Sequence, residues 1–213
     1  LGFGFGPVYQ KAGGGNYIEF LAPGIIAMSI MFTAIFSGIE MIWDRQFGFL
    51  KETFVAPVSR LRIVIGRTLG GATVATLQGL VVLILTIIAG FEPHNYWFLP
   101  LALLIMFVVA LMFTAFGTCI GSVLQDMQGF QLISNFLIMP IFFLSGALFP
   151  LEGLPKAMTF VASADPLSYG VDALRFFLTG SLHFGLLLDC SMIFAVTALL
   201  LALSSYLFSK IQM

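Results

Sequence analysis

Five long runs of apolar residues, separated by shorter segments that hold most of the charges, dominate this chain. The runs lie at about residues 17–43, 68–91, 98–124, 130–149 and 186–208. Each approaches or exceeds the roughly 20 residues that a helix needs to cross the hydrocarbon core of a bilayer. A membrane strand would need about ten residues of alternating polarity, and none of the runs alternates. The pattern therefore predicts an all-α, polytopic helical membrane protein with five visible spans.

Composition excludes a soluble domain. Of the 213 residues, 60% are hydrophobic and 9% are charged, and the mean hydropathy is +1.06. A soluble domain carries roughly 25% charged residues, so this chain has too little polar material to cover its surface in water. The net charge of −1 gives no field that would attract nucleic acid. We expect the lipid bilayer to be the main solvent, and no nucleic-acid partner.

The basic residues predict the orientation of the spans. Five of the nine lysines and arginines lie between the first and second runs: Arg45, Lys51, Arg60, Arg62 and Arg67. Because cytoplasmic loops are enriched in Lys and Arg, this loop is predicted to be cytoplasmic, and the loop at 91–97, which has none, external. An external start with Leu1 rather than Met favours a preceding span. We expect six spans in the full protein, both ends inside, and a single transmembrane domain over residues 1–213.

The basic loop contains a pattern typical of a short amphipathic helix. Asp44 is a suitable N-cap. Phe47, Leu50 and Phe54 are spaced to share one helix face, and Pro57 should end the element. Two interpretations remain open at this point: the apolar face rests on lipid headgroups, or it docks a cytoplasmic partner.

The external segment at 151–185 is too long for a plain connector and too apolar for a solvated loop. Asp165 as N-cap, followed by Pro166, predicts a helix start, and Asp172 and Arg175 are spaced to pair on one helix face. The segment predicts two short helices in the outer leaflet, or a re-entrant hairpin that partly covers the external mouth. The alternative is a loosely packed external cap.

Ionisable residues near the spans lie close to their ends. Glu40 and Arg67 can snorkel to the interface or pair across helices, while Glu19 and Asp189 are predicted to be interfacial. No run carries a charge at its centre, which argues against a relay of carboxylates for protons or ions.

Small residues recur at helical spacing in two of the runs. The pairs are Gly66 with Gly70 and Gly117 with Gly121, and a stripe of Ala72, Ala75 and Gly79 follows the first pair. Such stripes let helix backbones approach closely in membranes. We expect at least one of them to be a helix–helix contact.

No motif predicts catalysis or cofactor binding by this chain. It has no GxxxxGK[ST] loop for ATP, no GxSxG elbow and no HExxH pair. Cys119 and Cys190 are predicted to be packing residues, and His94 and His183 lack nearby partners for a metal. Any energy for work on a substrate must therefore come from another protein.

Four stretches together resemble the permease subunit of type 2 ABC exporters, which move drugs, lipids and polysaccharides. They are YIEFLAPG at 17–24, WDRQFG at 43–48 continuing to Pro57 and Arg60, FFLSGALFP at 142–150, and DPLSY at 165–169 continuing to 172–175. The matches extend from near the start of the chain to the last span. The cytoplasmic N-terminal helix and first span of that family are absent from this sequence.

The resemblance implies six spans per subunit, a homodimer or heterodimer of permeases, and a separate pair of cytoplasmic ATPase subunits that bind ATP and magnesium. It implies that the basic loop is a coupling helix that docks the ATPase, through Asp44, Arg45, Phe47, Leu50, Lys51, Glu52 and Phe54. It also implies short external helices, which here contain Pro155, Asp165, Pro166, Tyr169, Asp172 and Arg175. Our candidates for the translocation interface are the small-residue stripe of the second run and polar or helix-breaking residues of the fourth run: Ser134, Asn135, Pro140, Ser145 and Gly146.

The predicted function is therefore ATP-driven export of a drug, lipid or lipid-linked glycan across the cell membrane, with ATP hydrolysed by the partner. Two rival classes make different predictions. An intramembrane enzyme requires a catalytic pair within a span, and the sequence offers no convincing one. A membrane anchor that transports nothing requires no ATPase partner.

Overall fold

The computed structural model describes residues 17–49, 59–149 and 156–210, and these are helical with no strand among them. A 3₁₀ turn at Tyr96–Phe98 leads into α4. The α-helices in this part of the chain are α1 (Tyr17–Phe36), α2 (Ile39–Gln46), α3 (Arg60–Ile88), α4 (Leu99–Val123), α5 (Met127–Leu144), α6 (Lys156–Ala164), α7 (Pro166–Thr179) and α8 (Leu186–Ser209).

The five predicted spans are confirmed: α1 continued by α2, then α3, α4, α5 and α8 are each long and apolar enough to cross a membrane. The largest boundary difference is at α3, which begins at Arg60 rather than near residue 68. Hydropathy marks where a helix leaves hydrocarbon, whereas the backbone hydrogen bonds of α3 continue through the basic residues beyond that point.

α4 lies at the centre of the bundle. It packs against α1, α3, α7 and α8, and most of its residues are buried. α5 is the opposite case. Its buried side chains, Phe130, Ser134, Ile138 and Phe142, recur every four residues along a single stripe, so most of its surface is uncovered in this chain.

The first span is broken at Ser37–Gly38, between α1 and α2. The Ser37 hydroxyl donates to the Ala34 carbonyl, and the Gly38 amide bonds the Ile35 carbonyl three residues back, which tightens the end of α1. Helix resumes at Ile39 and continues through Asp44 to Gln46. The prediction that Asp44 starts a helix as its N-cap is therefore wrong: Asp44 lies near the end of α2.

Close glycine contacts explain how the break fits against α4. A Cβ at Gly117 would overlap the Ile35 carbonyl, and a Cβ at Gly38 or Gly121 would overlap a carbonyl of the facing segment. Gly66 and Gly70 have nothing within 4 Å. Of the two predicted glycine pairs, the one on α4 is a helix–helix contact within this chain.

The stripe on α3 is a contact as well. Ala72, Ala75 and Gly79 are buried, and a Cβ at Gly79 would press on the Ile30 side chain of α1. The small side chains thus let α3 lie close against α1.

The basic segment after the first span and the predicted external helices lie at opposite ends of the bundle. α2 and the α4–α5 connection meet at one end, which also carries the arginines of α3. At the other end, the backbone amide of His94 donates to the carbonyl of Leu178, at the end of α7 (2.9 Å). In the predicted orientation, the arginine end is the cytoplasmic one.

Candidate functional site

The start of the predicted coupling segment lies at the arginine end. Phe47 and Phe49 are 69% and 55% exposed, and Gly48 between them has a positive φ of 83°, a conformation that glycine adopts without strain. Leu50, Lys51, Glu52 and Phe54 lie outside the described residues. Within the described residues, two aromatic side chains are therefore exposed directly after the end of α2.

Side chains of α2 hold the α4–α5 connection, and we call this set of contacts the α2 clasp. The Arg45 guanidinium donates to the carbonyls of Ser122 (3.0 Å) and Leu124 (3.3 Å). The Gln46 amide donates to the Gln125 carbonyl (3.3 Å). The Trp43 indole N–H points at the Met127 sulfur (3.0 Å). Arg45 thus supplies hydrogen bonds to backbone carbonyls at the carboxyl end of α4. A cation at this end of a helix also complements the helix dipole.

An ion pair holds α2 from the other side. The Arg67 guanidinium of α3 pairs with the Asp44 carboxylate, and both side chains are about one-quarter exposed. Glu40 lines the same small cavity as Arg67, but Arg67 pairs with Asp44, one turn further along α2. This pair and the α2 clasp together fix α2 between α3 and the α4–α5 connection.

At the opposite end, the predicted start of α7 is confirmed. The Asp165 carboxylate accepts from the Leu167 amide (2.9 Å), and Pro166 occupies the first turn. Burial raises the pKa of Asp165 to about 7, against the lowering effect of the Leu167 hydrogen bond. The Tyr169 hydroxyl donates to the Ser163 carbonyl of α6 (2.6 Å), which fixes the corner between the two short helices.

The external segment forms two helices, as predicted, and α7 is not a loosely packed cap. Most residues of α7 are buried, and it contacts α1, α4 and α8. Pro155 lies outside the described residues.

Asp172 and Arg175 do not form the predicted pair. The Asp172 carboxylate accepts from the backbone amides of His183 (3.0 Å) and Phe184 (2.7 Å), so it fastens the α7–α8 loop. Arg175 donates to the Gly146 carbonyl (3.0 Å) and lies over the Phe20 ring. The two side chains therefore bind different neighbours, because backbone amides of the α7–α8 loop already satisfy the hydrogen-bonding capacity of the Asp172 carboxylate.

Asp189 was expected at the interface and is instead fully buried in the first turn of α8. Its burial results from the packing of α8 against α3, α4 and α7. A hydropathy profile does not contain that information, because it treats each span as if it stood alone.

The candidate translocation residues do not share one face. Ser134 is buried and Asn135 is exposed on α5, as is Pro140. Ser145 is buried beyond the end of the helix, where its hydroxyl donates to the Phe142 carbonyl (2.8 Å). Gly146 has a positive φ of 72°. The residues after α5 form the turn that Arg175 holds.

Sequence reasoning missed an amide stripe on α5, formed by Gln128, Gln131 and Asn135. These residues are exposed, and their i, i+3 and i+7 spacing places them on one side of the helix. The same spacing is readable in the sequence and could have identified them. Buried amides without partners are costly in hydrocarbon, so this face is suited to a protein or polar partner rather than to lipid tails.

No group of three or more His, Cys, Asp or Glu side chains among the described residues could hold a metal ion. Cys119 and Cys190 are free thiols. The Cys119 sulfur approaches the Leu200 carbonyl of α8 (3.7 Å), as expected of a packing residue.

Comparison with known proteins identifies the family. Residues 1–179 match the model of the ABC-2 type transporter family. The chain is 31% identical over 198 residues to Nodulation protein J of Rhizobium leguminosarum bv. viciae, covering 88% of this chain and 74% of that protein. It is 29% identical over 209 residues to Nodulation protein J of Rhizobium meliloti (strain 1021), covering 95% and 78%.

A third relative is named a transport permease. The Inner membrane transport permease YadH of Escherichia coli (strain K12) is 25% identical over 165 residues, covering 76% of this chain and 63% of that protein. The chain thus spans roughly two-thirds to three-quarters of the length of these relatives. With its five apolar spans, this chain belongs to the ABC-2 type transporter family and is a multi-pass membrane permease.

Proposed function

We propose that this chain is the transmembrane subunit of an exporter driven by a separate cytoplasmic ABC ATPase. The observation that carries the proposal is the fixed position of α2 at the arginine end, with the aromatic side chains of Phe47 and Phe49 exposed just beyond it. A partner that binds residues 47–54 would bind directly after α2, which is itself held by α3 and by the α4–α5 connection. The protein works in the cell membrane as a homodimer or heterodimer, and the ATPase supplies the bound ATP and magnesium.

The contacts of α2 describe how force would pass from the ATPase to the spans. The Asp44–Arg67 pair joins α2 to α3, and the α2 clasp joins it to the start of α5. In this scheme Asp44 and Arg45 position the docking segment, while Phe47, Leu50, Lys51, Glu52 and Phe54 meet the ATPase. Displacement of the segment then moves α3 and α5 together.

α5 is the proposed wall of the translocation route. Its amide stripe supplies hydrogen-bonding groups, and Phe136 and Phe143 nearby are exposed apolar side chains. A surface of this mixed character fits an amphipathic cargo such as a drug, a lipid or a lipid-linked glycan. The small external helices α6 and α7 lie at the end where such a cargo would leave.

The docking assignment is tested with two changes in the full-length protein, Phe47→Ala and Lys51→Glu. Together they remove an exposed ring and reverse a charge in the docking segment, so we expect at least a tenfold loss of affinity for the cognate ATPase, about 1.4 kcal/mol or more. The measurement is binding of the purified ATPase to the permease in lipid nanodiscs.

The control removes an exposed aromatic side chain and reverses one charge at the opposite end of the bundle, with Trp97→Ala and Glu92→Lys. Trp97 is 88% exposed and Glu92 is also exposed, so folding should survive in both variants. Equal ATPase binding by the docking variant and the control would contradict the assignment.

A further inference from the structure

A small cavity lies beside the break in the first span, where α1 and α2 face α3 and α4. Ser37, Glu40 and Met41 line it from the first span, Arg67 from α3 and Thr114 from α4. The space open to a water molecule is about 10 Å³, at the lower end of the roughly 10–15 Å³ that one bound water requires. The cavity therefore has room for one water molecule and is too small for an organic ligand.

The Thr114 hydroxyl has no hydrogen-bond partner among the described residues, although the residue is only 1% exposed. The other buried threonines in this part of the chain, Thr68, Thr118 and Thr197, each donate to the carbonyl four residues earlier (2.7–2.8 Å). Threonine within a helix commonly makes this bond, and a buried hydroxyl without any partner is costly. Thr114 therefore needs a partner that the described residues do not supply.

The backbone at the break also favours a water molecule. The Ser37 hydroxyl donates to the Ala34 carbonyl (2.7 Å), and the Gly38 amide bonds a carbonyl three residues back, so the regular helical pattern stops here. Thr114, on the facing helix, lies nine residues before the end of α4 at Val123, or roughly 13 Å along the helix axis. At such depth in a membrane, an interrupted helix is tolerated where it is buried in protein or lines a cavity that holds water.

Gly71 of α3 brings two of the lining side chains together. A Cβ at Gly71 would lie 2.7 Å from the Ser37 hydroxyl oxygen and 2.7 Å from the Thr114 methyl carbon. Ser37 and Thr114 therefore converge beside the backbone of α3. The polar side chains of the break and of α4 thus face the same small space.

The charges around the cavity favour a neutral ligand. The Arg67 guanidinium, which pairs with Asp44, would repel a cation, and the Glu40 carboxylate would repel an anion. Water both donates and accepts, and an ordered water needs about two to four polar partners. The hydroxyls of Ser37 and Thr114, together with the two charged groups, offer that number.

We propose that this cavity is a binding site for one water molecule, which bridges the Thr114 hydroxyl to polar groups of the break in the first span. The water supplies the hydrogen bond that Thr114 otherwise lacks, and it joins α4 to the break beside the close glycine contacts. Because Glu40 is exposed, the site lies near the surface, where its water exchanges with solvent. The site does not depend on the ATPase, so it is tested on the permease alone.

The first measurement is oxidative labelling of the full-length wild-type protein in nanodiscs by short X-ray pulses. The radiation converts water to hydroxyl radicals, which oxidise side chains close to the water that produced them. Met41 lines the cavity and is 2% exposed, while Met106 and Met112 are fully buried and do not line it. Since methionine oxidation follows access to the oxidant, we expect sulfoxide to form on Met41 about ten times faster than on Met106 or Met112.

Thr114→Val removes the proposed partner of the water and keeps the branched shape of the side chain. Loss of the water should lower the oxidation rate of Met41 to near that of Met106. It should also lower the melting temperature by about 2–4 °C, the shift expected for one net hydrogen bond in a protein of this size. Without a bound water, the same change would remove only an unpaired hydroxyl and would raise the melting temperature.

Thr68→Val is the matched control. Thr68 is fully buried, but its hydroxyl bonds the Val64 carbonyl within α3 and the residue does not line the cavity. In this variant Met41 should be oxidised at the wild-type rate.

Three results would overturn the proposal. The first is oxidation of Met41 in the wild type no faster than that of Met106 and Met112, a result that needs no variant to fold. The second is a Thr114→Val protein that is more stable than the wild type, with unchanged oxidation of Met41. The third is a wild-type melting temperature that rises with sodium concentration at constant ionic strength, which would indicate a bound cation in place of water.

Discussion

Replacing Gly117 with leucine is expected to prevent stable folding of the bundle, whereas the same change at Gly66 leaves the monomer folded. At Gly117, even a Cβ would overlap the backbone carbonyl of Ile35, and a backbone atom in a packed crossing cannot rotate away as a flexible side chain can. Overpacking typically costs about 1–3 kcal/mol and occasionally more. Because this crossing has no room even for a methyl group, the loss of stability caused by leucine should lie at the upper end of this range or beyond it.

Gly66 is a matched control because it belongs to the other small-residue pair and has nothing within 4 Å. The measurement is thermal unfolding and monodispersity of both variants in the same detergent. Similar melting temperatures for the two variants would contradict the close contact between the α1–α2 break and α4.

Arg45→Ala is expected to release the α2 clasp. The guanidinium donates to two carbonyls at the end of α4, and hydrogen bonds that involve a charged group contribute about 1.5–3 kcal/mol each. We expect a loss of stability of about 3 kcal/mol, the lower end for two such bonds because the Arg45 side chain is only partly buried, together with faster amide hydrogen exchange at residues 124–130. Protection should fall there first, because these residues join α4 to α5 and Arg45 donates to the Leu124 carbonyl at their start.

The control is Arg62→Ala, which removes a charge from the same end of the bundle. Arg62 is exposed, so its loss should change stability by less than about 0.5 kcal/mol. If both variants exchange alike over residues 124–130, Arg45 does not hold the α4–α5 connection.

The features predictable from sequence are those set by local chemistry. The five spans follow from the lengths of the apolar runs. The start of α7 follows from Asp165 and Pro166, because the capping side chain and the proline ring both act within the first turn of the helix. The stripe of Gln128, Gln131 and Asn135 is equally local, because its spacing can be read from the sequence, but only Asn135 is among the translocation residues predicted from sequence.

The features that were not predictable depend on distant parts of the chain. Asp44 looked like an N-cap because its neighbours suit a helix start, yet Arg67, on another span, holds it inside α2. Arg45, which the resemblance predicts to dock the ATPase, also contacts carbonyls at the end of α4, and that contact could not be read from its own segment. Asp189 is buried by the packing of α8 against other helices, which the sequence of α8 alone does not contain.

The central claim is that this permease is energised by a separate ATPase, and one measurement tests it most directly. The full-length protein is purified from its native membrane in mild detergent, and vanadate-sensitive ATP hydrolysis is measured in the purified complex. We predict that an ABC ATPase subunit accompanies the permease in stoichiometric amount and accounts for this hydrolysis. Purification of a folded, monodisperse permease without such an ATPase or its activity, under conditions that preserve other ABC complexes from the same membrane, would contradict it.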